Sequence, residues 1–149
     1  MFFSEYKHQL DDKFRLRLPA RFRAELGKFV IMKAVNGCLY VIGEEVFQER
    51  VRSKTKSIPL LDAGLQEPRR KIFASMDMPE EDSQGRFVLN ASLRQFAGIT
   101  KNIVIAGKDD HIEIWDADRH EASEAGKPVM SEENIKFNKD MAILKEFGI

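Results

Sequence analysis

The sequence predicts an α+β protein, mainly β with short helices, built from two tandem half-domains. Residues 11–23 and residues 82–94 share the order D-x-x-x-R followed by apolar-x-Leu-x-Ala-x-apolar-Arg. After each copy come a glycine and then two runs rich in strand-forming residues, with a short turn between the runs. Self-similarity of this kind indicates internal duplication. We therefore expect each half to fold as strand, helix and hairpin.

Composition places the chain among soluble globular proteins with one core. It has 149 residues, of which 43% are hydrophobic and 32% charged. Cys38 is the only cysteine, which excludes an intramolecular disulfide and a multi-cysteine zinc site. The N-terminal stretch lacks an apolar core and apolar runs are short, so we expect neither a signal peptide nor a membrane span, and a cytoplasmic location.

The first copy shows the strand and the helix most clearly. Apolar and basic residues alternate from residue 13 to residue 18, which predicts a strand with one buried face, formed by Phe14, Leu16 and Leu18. The helix that follows is expected to start at Pro19, to bury Phe22 and Leu26, and to end at Gly27.

Turn and helix signals divide the rest of the chain. Asn36-Gly37 and Asp109-Asp110 are expected at the two hairpin turns. Residues 44–56 have helical spacing, with Val46, Phe47 and Val51 as packing residues, and Pro68 is expected to open the second half. A final helix capped by Ser131 is expected to pack through Ile135, Met141, Leu144 and Phe147. These signals predict half-domains at 5–50 and 75–120, a linker at 51–74 and a C-terminal segment at 121–149.

The sequence contains no recognisable catalytic constellation. Three histidines are scattered, and no nucleophile elbow, zinc-protease motif or phosphate-binding glycine loop is found. Cys38 lies in a strand-like run and is interpreted as a small packing residue, Trp115 as a core or interface residue. Glu80, Glu81 and Asp82 are interpreted as solvated acids. We predict no enzyme, no cofactor and no metal.

Charge is zero overall and unequal between the halves. Residues 1–75 carry 15 Lys and Arg against 9 Asp and Glu, whereas residues 76–149 carry 9 against 15. This asymmetry is compatible with a basic ligand-binding face, or with halves and neighbouring subunits that attract one another.

The D-x-x-x-R element occurs twice and has two interpretations. Asp11 and Asp82 can accept backbone hydrogen bonds and pair with an arginine four residues later, which would fix each turn. The basic side chains around the turns could instead contact DNA phosphates and base edges. We expect the aspartates to be structural and the following residues to bind DNA: Lys13, Arg15, Arg17, Arg21, Arg23 and Arg86.

Residues 5–23, together with D-x-x-G-R-x-x-L at 82–89 and I-E-I-W-D at 112–116, resemble the MraZ family. The resemblance implies a bacterial transcriptional regulator with two SpoVT-AbrB-like half-domains in a pseudo-twofold, swapped-hairpin barrel. It also implies ring oligomers that bind double-stranded DNA at repeats upstream of the division and cell-wall gene cluster, hence a nucleoid-associated protein. Arg15 and Arg86 match the motif arginines of the family.

The two copies differ where DNA would be contacted. Phe14 stands where the second copy has Gly85, so a positive φ there would strain the first turn. Val88 replaces the basic Arg17 and Asn90 replaces Pro19. We therefore expect the second copy to bind DNA more weakly than the first. The rival hypothesis is a ring-forming structural module with weak or RNA-directed binding of nucleic acid.

Overall fold

The computed structural model describes residues 1–149, which form one six-stranded antiparallel sheet, a two-stranded ribbon and short helices. The predicted α+β class is confirmed, but the chain is not mainly β, because its helices contain more residues than its strands. The strands are β1 (Glu5–Gln9), β2 (Arg15–Leu16), β3 (Phe29–Lys33), β4 (Leu39–Gly43), β5 (Met76–Asp77), β6 (Phe87–Val88), β7 (Asn102–Gly107) and β8 (Ile112–Asp116). The helices are α1 (Ala20–Leu26), α2 (Glu44–Phe47), α3 (Ser53–Thr55), α4 (Ala63–Ala74), α5 (Ala91–Ala97), α6 (Ala117–Glu124) and α7 (Glu132–Ile143).

The order of the large sheet is β1-β7-β8-β4-β3-β5. Exchanging β1, β3 and β4 with β5, β7 and β8 gives the same order read backwards, which fits a duplicated half-domain. The first strand of each half pairs with the other half, since β1 pairs with β7 and β5 pairs with β3. No ladder joins β1 to β5, so the sheet is open and does not form the closed barrel that the resemblance implies.

The two-stranded ribbon also joins the halves. Strand β2 pairs with β6, placing Arg15 opposite Val88 and Leu16 opposite Phe87. Leu16 and Phe87 are buried, whereas Val88 is 50% exposed. One face of the ribbon therefore packs on the core and the other faces solvent.

The elements predicted for the first half are confirmed in α1 and the hairpin. Helix α1 follows Pro19, buries Phe22 and Leu26, and ends at Gly27. The turn between β3 and β4 has positive φ at Asn36 and Gly37, as the Asn-Gly pair predicts, and Asp109 takes the same region in the second hairpin.

Hydrophobic residues on the two faces of the sheet form separate clusters. On β3, Ile31 packs with Leu16 and Phe87 of the ribbon. Its neighbours Val30 and Met32 point to the opposite face, where they pack under the helices that connect the halves. The ribbon and these connecting helices therefore lie on opposite sides of the sheet.

Three local expectations are wrong. Phe14 is 41% exposed rather than buried, because it lies in the turn and not in the strand, which begins at Arg15. Pro68 lies inside α4 within the expected linker, so it does not open the second half. Ile135 is 42% exposed, and α7 instead buries Asn134 and Phe137.

Other expectations are confirmed. Residues 44–55 are helical with a π-helical turn at Gln48–Arg52, and Val51 is buried. Ser131 caps α7, while Cys38 and Trp115 are buried.

No helix in the structure has the length and apolar character needed to cross a bilayer.

Candidate nucleic-acid interface

The first D-x-x-x-R turn is closed by the carboxylate of Asp11. Its Oδ1 accepts hydrogen bonds from the backbone N–H groups of Lys13 and Arg15, both at 2.9 Å. Its Oδ2 accepts a bond from Arg15 Nε at 2.8 Å. The Arg15 backbone N–H is the largest influence that lowers the pKa of this carboxyl below its ordinary value.

The second turn repeats this arrangement atom for atom. Asp82 Oδ1 accepts from the N–H groups of Gln84 and Arg86 at 2.9 Å, and its Oδ2 accepts from Arg86 Nε at 2.9 Å. The backbone N–H of Arg86 is the main cause that lowers the pKa of Asp82. The structural interpretation of both aspartates therefore accounts for all their polar contacts within the turns.

The ribbon brings the arginines of both halves onto one face. Arg15 Nη1 lies 3.9 Å from Asp82 Oδ2 of the opposite turn. The Leu89 N–H donates to the Phe14 carbonyl, so the register continues beyond the paired residues. By that register Arg17 lies opposite Arg86, on the same outward face as Arg15. Three guanidinium groups thus share the solvent side of a ribbon to which each half contributes one strand.

Residues 14 and 85 occupy equivalent, left-handed positions. Their φ angles are 59° for Phe14 and 77° for Gly85. The positive φ that the comparison of the two copies suggested is therefore present. For Phe14 this backbone region costs roughly 1–2 kcal/mol, a cost that Gly85 avoids.

Each of these positions is covered by an arginine from the other half. The Arg94 guanidinium of α5 lies 3.6 Å from the centroid of the Phe14 ring, and its Nε donates to the Leu89 carbonyl at 2.8 Å. The Arg23 guanidinium of α1 fills the space that a Cβ at Gly85 would need. Arg23 Nε also donates to Glu81 at 3.2 Å. Each turn is therefore supported by the helix of the opposite half.

The six expected DNA-binding residues fall into two groups in the structure. Lys13, Arg17 and Arg21 are exposed and form no ion pair. Arg15, Arg86 and Arg23 are half-buried and already pair with Asp11, Asp82 and Glu81 respectively. The free cations of the interface therefore come from the first half.

Arg94 is a part of this interface that the sequence did not single out. It ends the repeated skeleton at the position equivalent to Arg23. That equivalence was the available signal, but only the structure shows that both arginines cross to the opposite half.

A possible group of metal ligands lies elsewhere, between β1 and α6. His120 Nε2 is 3.7 Å from carboxylate oxygens of Glu5 and of Glu124. These are the residues whose ligand atoms come within 4.8 Å of one another. Both glutamates are more than half exposed, and neither turn of the ribbon contributes a ligand.

The family model described as MraZ protein, antitoxin-like, matches residues 1–60 and 72–138, which include both turns and both hairpins. The chain belongs to the MraZ family.

Several relatives support the MraZ assignment. The chain is 41% identical over 122 residues to a transcriptional regulator MraZ of Moorella thermoacetica, covering 81% of this chain and 85% of the relative. It is 35% identical over 136 residues to the protein of that name from Acetivibrio thermocellus, covering 91% and 94%. A relative from Frankia alni is 40% identical over 123 residues, covering 82% and 85%. Residues 61–71, which start α4, lie outside the MraZ family match.

Proposed function

We propose that this chain regulates transcription by binding double-stranded DNA through the outward face of the β2–β6 ribbon. The observation that carries the proposal is the common face of Arg15, Arg17 and Arg86, drawn from both halves. Guanidinium groups suit phosphate oxygens and guanine edges, and a two-stranded ribbon fits the major groove. The names of the relatives describe regulators of transcription.

The finer parts of the proposal concern the assembly and its DNA. We propose that copies of the chain form a ring, that the ring engages tandem repeats upstream of the division and cell-wall gene cluster, and that the protein is nucleoid-associated in the cytoplasm. The half-domains at 5–50 and 75–120 act as the two readers. The pairing of β1 and β5 with strands of the opposite half supports the swapped half-domain arrangement.

One subunit alone binds weakly on this proposal. If it neutralises about three phosphates, log affinity falls against log salt with a slope of about −2.7. A ring makes later contacts intramolecular, so tandem repeats bind about 100-fold more tightly than a single repeat when the spacing fits.

Gel-shift titration against the upstream DNA tests the proposal. We expect Arg17→Ala to weaken binding to tandem repeats and Lys127→Ala to leave it unchanged, since Lys127 is exposed and lies outside the ribbon. Arg94→Ala is not a neutral control because Arg94 contacts Phe14. Equal affinities of the wild-type chain and Arg17→Ala, or indifference to the number of repeats, would contradict DNA reading by the ribbon.

The charged halves favour a second candidate, a ring-forming module with weak or RNA-directed binding. Light scattering and an RNA competitor separate it from the first candidate. A ring that fails to bind the repeats, or that prefers RNA, supports the module. A monomer at micromolar concentration contradicts both ring assembly and the avidity of the DNA proposal.

A further inference from the structure

Helix α4 presents one face to the core and another to an open groove. Pro68 and Ile72 are buried, and Ile72 belongs to the hydrophobic cluster on that side of the sheet. Residues three and four positions apart on the other face line a groove of about 650 Å³, and Arg52 completes its wall. The groove is lined by Arg52, Gln66, Arg69, Arg70, Phe73 and Ala74.

The three arginines of this groove have no anionic partner. None of them forms an ion pair with a carboxylate, and no Asp or Glu lines the groove. A second cavity beside α4 shows the contrast, because two of its three lysines are paired with carboxylates. There Lys71 lies 2.6 Å from Asp140 and Lys33 lies 3.5 Å from Glu133. The groove therefore concentrates uncompensated positive charge in a protein whose net charge is zero.

Arg69 is held in place rather than free in solvent. Its guanidinium carbon lies 5.5 Å from the centroid of the Phe73 ring, within the range of a cation–π contact. Its Nε is buried and has no hydrogen-bond partner. Buried polar atoms are nearly always paired in folded proteins, so the fold supplies this guanidinium with no acceptor of its own.

Arg52 reaches the groove from an unusual backbone segment. It ends the π-helical turn Gln48–Arg52, and such turns are rare and occur often at functional sites. The turn lies between α2 and α3, and Arg52 at its end lines the groove together with residues of α4.

The groove is separate from the nucleic-acid interface. The helices around it pack through Val51 and Ile72 on the face of the sheet that carries Val30. The ribbon packs on the opposite face, with Ile31. Residues 61–71, which include Arg69 and Arg70, fall in the gap between the two parts of the family match.

We propose that the groove formed by Arg52, Arg69 and Arg70 binds the phosphate groups of a small phosphorylated molecule. A planar guanidinium binds phosphate oxygens through two parallel hydrogen bonds, and three such groups around one groove favour a polyanion over a single carboxylate. Since the groove lies on the far side of the sheet from the ribbon, it can be filled while the ribbon holds DNA. A phosphate of the DNA backbone is the other source of the same chemistry, which the test distinguishes.

The test is a calorimetric titration of the full-length chain with inorganic pyrophosphate in a phosphate-free buffer of low ionic strength. We expect Arg69→Gln to weaken binding about tenfold or more, because it removes a charged hydrogen-bonding group. Arg69→Lys keeps the charge but loses the planar guanidinium, so its affinity for pyrophosphate should lie between those of the wild type and Arg69→Gln. Lys127→Gln, which removes one exposed charge elsewhere, is the matched control and should bind as the wild type does.

Gel shifts with the upstream DNA identify the source of the phosphate. If the double variant Arg69→Gln/Arg70→Gln loses pyrophosphate but keeps its DNA affinity, a small phosphorylated ligand is supported. A parallel loss of DNA affinity would instead assign the groove to backbone phosphates and overturn the small-molecule proposal. The site itself is overturned if the wild-type chain does not bind pyrophosphate. It is also overturned if the wild type and Arg69→Gln bind pyrophosphate with equal affinity. The calorimetric titration contains no DNA, so its result does not depend on whether the ribbon binds DNA. Thermal melting confirms that each variant is folded.

Discussion

At residue 85 the geometry of the second turn depends on the absence of a side chain. Gly85 has a φ of 77°, and the Arg23 guanidinium occupies the place of its missing Cβ. In the first turn Phe14 also has a positive φ, and its ring packs against the guanidinium of Arg94. An arginine of the opposite half therefore packs on each turn. In the second turn it packs on the backbone of the glycine, and in the first turn it packs on the face of the phenylalanine ring.

Gly85→Ala is expected to lower the free energy of unfolding by about 1–2 kcal/mol through backbone strain alone, and further by displacing Arg23 from Glu81. In urea denaturation, the same substitution should cost less in an Arg23→Ala background, where no guanidinium is displaced. Gly126→Ala is the matched control, since Gly126 has a φ of 74° and nothing within 4 Å of its Cβ position. Equal costs in both backgrounds would show that Arg23 does not depend on Gly85.

The carboxylate of Asp82 makes stability depend on pH in the acid range. Its pKa is lower in the folded protein than the ordinary value of 3.8, mainly because of the Arg86 N–H. The ionised form therefore stabilises the fold above about pH 4, and this contribution is lost as the pH falls through the lowered pKa. Asp82→Asn should reduce the melting temperature at pH 7 and flatten its decline below about pH 4.

The control for this pH experiment is Asp12→Asn. Asp12 is exposed and its side chain accepts no hydrogen bond, so its variant should keep the wild-type dependence on pH. An Asp82→Asn variant that loses stability in acid as steeply as the wild type would show that the turn carboxylate does not contribute.

At the residue scale the sequence predicted contacts that are local and missed those that cross the halves. The pairing of Asp11 with Arg15 spans four residues and follows from turn chemistry. The contact of Arg94 with Phe14 depends on the packing of α5 against the opposite turn. No local pattern in either segment encodes that approach.

Among the elements, α7 is fixed by a buried polar network rather than by a broad apolar face. Asn134 is 0% exposed, and its Nδ2 donates to the Phe96 carbonyl at 2.8 Å. Arg119 Nη1 donates to Asn134 Oδ1 at 3.0 Å and to the carbonyl of Gly37, also at 3.0 Å. The network joins α7 to both hairpin-bearing halves.

Asn134→Ala should lower the free energy of unfolding by about 2 kcal/mol, because it removes a hydrogen bond to a charged group and leaves buried partners unpaired. Urea denaturation measures the loss, and Lys136→Ala on the exposed side of the same helix should change little. In the Asn134→Ala variant, amide hydrogen exchange should speed up in α7 before it does so in the rest of the chain. If Asn134→Ala does not change the free energy of unfolding, the packing of Phe137 and Leu144 is enough to hold the helix without the network.

The sequence located α7 through Ser131 but did not find α4. A serine before a periodic run is a direct signal for a helix start. Pro68 gives the opposite signal inside α4, yet the helix continues because Pro68 and Ile72 are buried against the core. Tertiary packing overrode the local rule there, and it also left Ile135 exposed where periodicity predicted burial.

At the scale of the whole molecule, the order of the sheet makes the halves mutually dependent. The first strand of each half is held by the other half, and the ribbon takes one strand from each. The duplication was readable in the sequence because both copies keep the same motif. The exchange of strands was implied only by the family resemblance, since the alternation within a strand does not specify its partner.

The unequal turns give the bound molecule a direction. A dimer of identical subunits carries a true twofold axis and therefore matches palindromic operators. In this chain the nearly symmetric ribbon has Phe14 in the turn before β2 and Arg17 after that strand. The equivalent places of the other half hold Gly85 and Val88. Turning such a reader end for end on DNA exchanges a strongly basic side for a weakly basic one. On the proposed function, sites repeated head to tail offer every subunit the same orientation, whereas a palindrome would satisfy only one of its two arms.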